Sequence, residues 1–328
     1  MSLYPLKFRP RLVEKMWGGR KLQTVLGKPL PEGKPIGESW ELYDFPPGVV
    51  ESSTDWVSSE VANGPLVGHT LHSLVQQFRT EMLGPVKLAG REGQFPILIK
   101  FLDAREDLSV QVHPDQAYAS ANPDAHLKSE AWYVLQSDPG ARLLKGLKPG
   151  VTREAFAAAI AHGDVNRLIE SVPTRAGDCF YLPSGTVHAL GAGLLVAEAQ
   201  TPSDTTFRVF DFNRIDPSTS RRRTLHVEQA MKCIDFSCEP SSLPRDPSES
   251  RLVTSPYFNL ERRQLGPQGH HRLASDGPTV VIVTEGELRV GGETPASRGA
   301  VVLIPAALQG ARIETGAGAT FLEVTFPA

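Results

Sequence analysis

Short apolar runs separated by glycine- and proline-rich breaks dominate the chain: FPILIKFL (95–102), AWYVL (131–135), DCFYLP (178–183), LLVAEAQ (194–200), TFRVFDF (206–212), TVVIVTEGELRV (279–290), AVVLIP (300–305) and TFLEVTF (320–326). Runs of this kind between breakers predict strands. Three segments predict helices instead, at 70–82 (TLHSLVQQFRTEM), 115–122 (DQAYASAN) and 152–171 (TREAFAAAIAHGDVNRLIES). The third has the clearest start, with Thr152 as a capping residue and Glu154 ahead of an alanine-rich amphipathic run. A mainly β architecture with a few helices follows. Within it, DLSVQVHP (107–114) alternates strictly. Successive strand side chains point to opposite faces, so Leu108, Val110 and Val112 are expected to pack against the layer behind. Ser109, Gln111 and His113 then share the other face, which is either a solvated rim or the inside of a barrel.

The stretch 237–254, SCEPSSLPRDPSESRLVT, is rich in serine and proline and reads as a linker. It divides a unit at 1–236 from a smaller one at 255–328. A weak repeat supports the division. GDCFYLPSGTVHALGAG begins at Gly177 and GAVVLIPAALQGARIETGAG at Gly299, and each places a proline six residues after the glycine, at Pro183 and Pro305. Only the first copy has a histidine, His188, where the second has Gln309 and Gly310.

Composition narrows the function. Among 328 residues, 34 basic against 37 acidic side chains leave no basic excess for nucleic acid. The three cysteines form no C-x-x-C pair, which argues against a disulfide framework or a cysteine zinc motif and suits a reducing cytoplasm. No signal-like or bilayer-spanning apolar window is present, so no membrane partner is expected.

GDCFYLPSGTVH matches G-x5-P-x-G-x2-H, and in this it resembles the second motif of the cupin family, whose members fold as double-stranded β-helix, jelly-roll barrels. The asparagine often found four residues further on is Ala192 here. A first motif is then formed by Gln111 and His113 and, after an insertion, Glu130 in KSEAWYVL. With His188 they make an N2O2 donor set for a borderline metal such as zinc, one ion per chain. Three neutral donors and one carboxylate leave a dication with a formal charge of about +1, still a strong Lewis acid. The remaining histidines, His69, His72, His126, His162, His226, His270 and His271, are read as surface or structural.

Lys100 interrupts FPILIKFL, Lys128 stands two residues before Glu130, and Arg208 alternates between Phe207 and Val209. A lysine in so apolar a strand has to be paired, snorkelling or lining a cavity. Three cations on strands beside a metal site point to an anionic ligand, with phosphate the first candidate. MWGGRKL, IGESWEL, ANGPLVGHTL, FPILIKFLDAREDLSVQVHPDQAYA, KSEAWYVL, GDCFYLPSGTVHALGAG and EAQTPSDTTFRVFDFNR, in this order over about residues 5–235, resemble the short bacterial form of type I phosphomannose isomerases.

That resemblance implies a zinc enzyme interconverting mannose 6-phosphate and fructose 6-phosphate, with Gln111, His113, Glu130 and His188 on zinc. It places the family's active-site arginine at Arg208 and its lysines at Lys100 and Lys128, with Ser109 beside them, in substrate binding. Gln116 stands where long members have lysine, and the long members' extra helical domain is missing. Glu198 matches a glutamate considered as the base, with Glu130, a hydroxide on the metal and Glu41 as alternatives. A monomer or weak homo-oligomer acting on a small sugar phosphate in the cytoplasm is expected. A metal-dependent cupin oxygenase and a non-catalytic sugar-phosphate-binding cupin are the competing readings. The second unit, lacking the histidines, is expected to pack against the first.

Overall fold

The computed structural model describes residues 2–50, 53–216, 220–237, 250–292 and 294–327. Most described elements are antiparallel strands. Six form one sheet in the order Cys179–Leu182, Glu130–Ser137, Leu194–Gln200, Leu98–Ala104, Arg11–Gly19, Ile36–Leu42. Five form a second, in the order Ile169–Pro173, Arg142–Leu147, His188–Leu190, Val110–Val112, Phe207–Phe210. Every residue of the central strands Leu98–Ala104 and Leu194–Gln200 is buried, which is why both read as nearly unbroken apolar runs.

Alternation then sorts their side chains between two layers. Ile99, Phe101, Ala197 and Ala199 join a core that also contains Leu252, Val280, Leu303 and Leu322 of the C-terminal unit. Leu102, Ala104, Leu194 and Val196 point the other way, into a core with Leu143, Val172 and Leu190 of the five-stranded sheet. Removing each of the larger ones, such as Ile99, Phe101, Leu102 and Leu194, from water is worth about 1.5–3 kcal/mol. This second core fills only part of the space between the sheets. Lys100 and Glu198, on the same strands, occupy the rest.

The outer face of the five-stranded sheet is covered by helices. Val110, Val112 and Phe207 pack with Phe156 and Ala159 of helix Arg153–His162 and with Ala230 and Cys233 of helix Val227–Cys233. Leu108 departs from the expected face: it precedes the strand and packs between the sheets with Trp17 and Trp132.

Each expected helix begins at a side-chain cap, of which only Thr152 was read in the sequence. Thr70 forms a capping box ahead of Leu71–Gln77, Asp115 accepts from Tyr118 N–H ahead of Gln116–Ala121, and Thr152 accepts from Ala155 N–H. The segment expected to be helical over 152–171 stops early, because Gly163 adopts a left-handed C-cap at φ 72°. A short 3-10 turn, Val165–Leu168, leads directly into the strand Ile169–Pro173.

The C-terminal unit is a nine-stranded antiparallel sheet whose main path runs Leu6–Lys7, Val301–Ile304, Thr279–Val290, Ala319–Thr325, Asn259–Leu265, Arg251–Thr254. The chain's first strand therefore pairs with the last unit, Leu6 opposite Leu303. Most of the expected linker, 238–249, lies outside the described residues, while its end, Arg251–Thr254, is an edge strand of this sheet. Among the described residues no helix is long and apolar enough to cross a membrane.

Candidate metal centre

Register brings the polar side chains together. His188 and Arg208 lie opposite Gln111 on the two neighbouring strands of the five-stranded sheet. From the facing sheet, Glu130 opens its strand beside Gln200, and Glu198 lies opposite Lys100. The donor atoms of His113, Glu130 and His188 all fall within 4.8 Å of one another, and all three residues are buried. Gln111 completes the group, with its Nε2 3.3 Å from His188 Nε2.

The hydrogen bonds around the histidines fix their tautomers. His113 Nδ1 is 3.1 Å from the carbonyl of Thr205, and His188 Nδ1 is 2.9 Å from that of Thr186. A carbonyl only accepts, so each Nδ1 carries the proton and each Nε2 presents a lone pair. Those lone pairs face Glu130, His188 Nε2 at 3.0 Å from Oε1 and His113 Nε2 at 3.5 Å from Oε2. Neither side has a proton to share. His113 Nε2 and both Glu130 oxygens are accordingly buried without a hydrogen-bond partner. Such an arrangement is costly unless a cation sits among the lone pairs, and two imidazoles, a carboxylate and an amide oxygen suit a borderline dication. Turning the Gln111 amide over presents its oxygen to the same point.

Charge reinforces this. Burial and the Lys128 ammonium push the His113 pKa down to about 3, so the ring stays neutral. Burial opposes the charge of Glu130, but the Lys128 ammonium, 3.2 Å away, holds its pKa well below the ordinary carboxylate range.

Beside the centre lies a cavity of about 180 Å³, lined by Lys100, Ser109, Gln111, Lys128, Glu198 and Arg208 among others. Lys100 bridges Glu198 at 3.2 Å and Glu38 at 3.9 Å. Burial works against its charge, yet Glu198 and Glu38 outweigh it and raise its pKa above the usual lysine value. Burial pushes Glu198 up to about 7 in spite of Lys100. Ser109 Oγ lies 3.3 Å from Gln111 Oε1, and with the amide turned over it accepts from the amide nitrogen instead. Arg208 reaches the cavity with a buried Nε that has no partner among the described residues.

All nine residues singled out in the sequence thus meet in one place. Glu41, an alternative base, does not. Ser39 and Glu41 face away from the cavity, where Glu41 accepts from Lys28 at 2.7 Å and from Ser39 at 2.5 Å. Their neighbours Glu38 and Trp40 face inward, Glu38 accepting from Trp40 Nε1 at 2.6 Å. Glu38, Lys15, Trp17, Asp204 and Arg223 line the cavity and were not anticipated.

A model of the phosphomannose isomerase type I catalytic domain matches residues 6–140. A mannose-6-phosphate isomerase of Streptococcus mutans is 35% identical over 302 residues, 90% of this chain and 90% of the relative. The chain belongs to the type I phosphomannose isomerase family. Among solved structures, the mannose 6-phosphate isomerase from Bacillus subtilis is 29% identical, with a TM-score of 0.83 over 98% of this chain and 99% of that one. A zinc-bound mannose 6-phosphate isomerase, 17% identical, shares the cupin fold at a TM-score of 0.72 over 99% and 100% of the two chains. The catalytic-domain match carries Gln111, His113 and Glu130 and ends before His188 and Arg208. In this type I phosphomannose isomerase, strand register brings those last two residues, already singled out in the sequence, to the same site.

Proposed function

We propose that the protein is a zinc-dependent mannose-6-phosphate isomerase, converting mannose 6-phosphate and fructose 6-phosphate into one another. The observation that carries the reading is the convergence of lone pairs from His113, Glu130 and His188, with no proton among them, at a cavity bordered by cations. Gln111 is the proposed fourth ligand. Zinc, when bound, supplies Lewis-acid stabilisation of negative charge on the sugar oxygens.

Isomerising an aldose to a ketose moves a proton between carbons 1 and 2 through an enediolate. The site must stabilise charge on two oxygens and carry one proton. Arg208, opposite Gln111 and with an unpartnered Nε, is placed to donate to an oxygen that gains charge. Glu198, with a pKa of about 7, can take the proton and return it near neutral pH. Lys100 keeps Glu198 in position, and Lys128 does the same for Glu130. Both lysines also add positive potential for a phosphorylated sugar, and Ser109 steadies Gln111. The same reading puts the enzyme in the cytoplasm, as a monomer or weak homo-oligomer.

Assaying fructose 6-phosphate formation from mannose 6-phosphate tests the proposal. Activity should vanish on chelation and return with zinc; full turnover by metal-free protein would refute it.

A further inference from the structure

Among the described residues, five cationic side chains border the cavity, and they are not equally committed. Lys15 is held by Glu38 at 3.1 Å, Lys100 by Glu198 at 3.2 Å and Lys128 by Glu130 at 3.2 Å. Each of these lysines is already engaged by a carboxylate within the site. Arg208 and Arg223 are different. Arg208 makes no side-chain ion pair among the described residues. Arg223 lays one edge of its guanidinium on Asp211, Nε to Oδ2 at 2.7 Å and Nη2 to Oδ1 at 2.5 Å, leaving Nη1 uncommitted among the described residues.

Asp211 also takes Arg214 Nη2 at 2.5 Å. Asp211 thus holds both Arg214 and Arg223, and Arg214 is also 3.9 Å from Glu106, so of these three guanidiniums only Arg208 and Arg223 line the cavity.

We propose that Arg223, held in place by Asp211, is the principal anchor for the substrate's phosphate, with Arg208 reaching the same anion from the side of the reacting carbons. This rests on the isomerase reading. A guanidinium with one edge fixed and the other free is oriented for two-point contact with a phosphate, which a paired lysine cannot match. Position agrees as well. Arg208 lies opposite the metal-side residue Gln111, whereas Arg223 is tied to Asp211, further along the chain from that strand. A sugar whose carbons 1 and 2 sit at the metal would point its far end toward Arg223. Burial first, and the charge of Arg223 second, lower the Arg208 pKa, a mutual repulsion that a bound dianion relieves.

The test is steady-state kinetics on zinc-loaded enzyme, with inorganic phosphate as competitive inhibitor. Arg223→Gln keeps an N–H for Asp211 and removes the charge. It should raise KM for mannose 6-phosphate roughly 10- to 100-fold and weaken phosphate inhibition by a similar factor, while kcat changes far less. Asp211→Asn, which loosens Arg223 without removing it, should shift KM in the same direction by a smaller factor. A KM and a phosphate inhibition constant within about twofold of wild type in Arg223→Gln overturn the proposal. If that variant does not fold, Arg223→Lys decides by the same criterion, since a lysine loses the two-point contact. Wild-type enzyme with no isomerase activity at all would instead defeat the functional reading.

Discussion

Cys179–Leu182 and Val301–Ile304 enter their sheets by the same turn, each two residues after a glycine with positive φ, Gly177 at 95° and Gly299 at 81°, and each just before a proline. Beyond that turn the two units part. Around the first, Gln111, His113, Glu130 and His188 crowd together, and both oxygens of Glu130 are left without hydrogen bonds. Around the second, Leu273, Val281, Val283, Ile304, Ile313 and Phe321 close the interior with hydrocarbon. Among the described residues the buried acid there is Glu323, which accepts from Arg263 at 2.8 Å and lies 3.0 Å from His271 Nε2. One interior keeps buried lone pairs on His113 and Glu130 without hydrogen bonds, which suit a bound cation. Among the described residues the other has no buried side-chain polar atom without a partner, and it contributes packing. The shared core between the units, including Phe101 and Leu322, lets the second support the first.

Removing a lone pair from the first interior should have the largest effect. His188→Ala is expected to leave the purified protein essentially free of bound metal and to cut kcat/KM at least about a thousandfold. Wild-type protein should hold about one zinc per chain. Elemental analysis beside the coupled assay reads both, and metal-free activity in the variant would break the contrast. Next in size is Glu198→Gln, which keeps shape and removes the proton carrier. Loss of about 10²–10⁴ in kcat with zinc content retained is expected. The parallel variant Asp204→Asn separates Glu198 from Asp204, one of the two other carboxylates that line the cavity.

In the second interior the expected damage is to folding rather than chemistry. Phe321, fully buried, lies in its hydrocarbon core. Phe321→Ala should destabilise the protein by ~3–5 kcal/mol, seen in chemical denaturation, while KM of the folded fraction stays near wild type. A variant with normal stability and altered KM would mean that the second unit shapes the site directly.

The contrast also explains what the sequence made legible. Alternation in DLSVQVHP and the G-x5-P-x-G-x2-H turn identified one inward face, because Val110 and Val112 pack against helices while Gln111 and His113 do not. The same rule was mute for IGESWEL, every residue of which is buried. With no solvent on either side, Glu38 and Glu41 cannot be assigned inward or outward by polarity. Arg223 was hidden differently. It ends a run of three arginines in which Arg221 and Arg222 are exposed, and only the distant Asp211 distinguishes it. The strand Leu6–Lys7 pairs across nearly the whole chain, and two residues carry no periodicity to announce it.

The smallest expected effect concerns the paired acid, and its sign follows from the pairing. Burial alone would raise the Glu323 pKa, but hydrogen bonds from His271 and Arg263 outweigh it and hold the pKa below the ordinary value of 4.5. A carboxylate whose pKa is depressed by folding stabilises the folded state at any pH above its unfolded pKa. That contribution drains away as pH falls through the lower, folded value. Glu323→Gln should therefore cost about 1–2 kcal/mol at neutral pH, and the gap from wild type should close as the pH drops below about 4.5. Denaturation at a series of pH values on the zinc-loaded proteins measures it. A gap that stays constant into acid would show that the carboxylate's charge does no stabilising there. The second interior would then hold Glu323 by shape alone, as it holds its hydrocarbons.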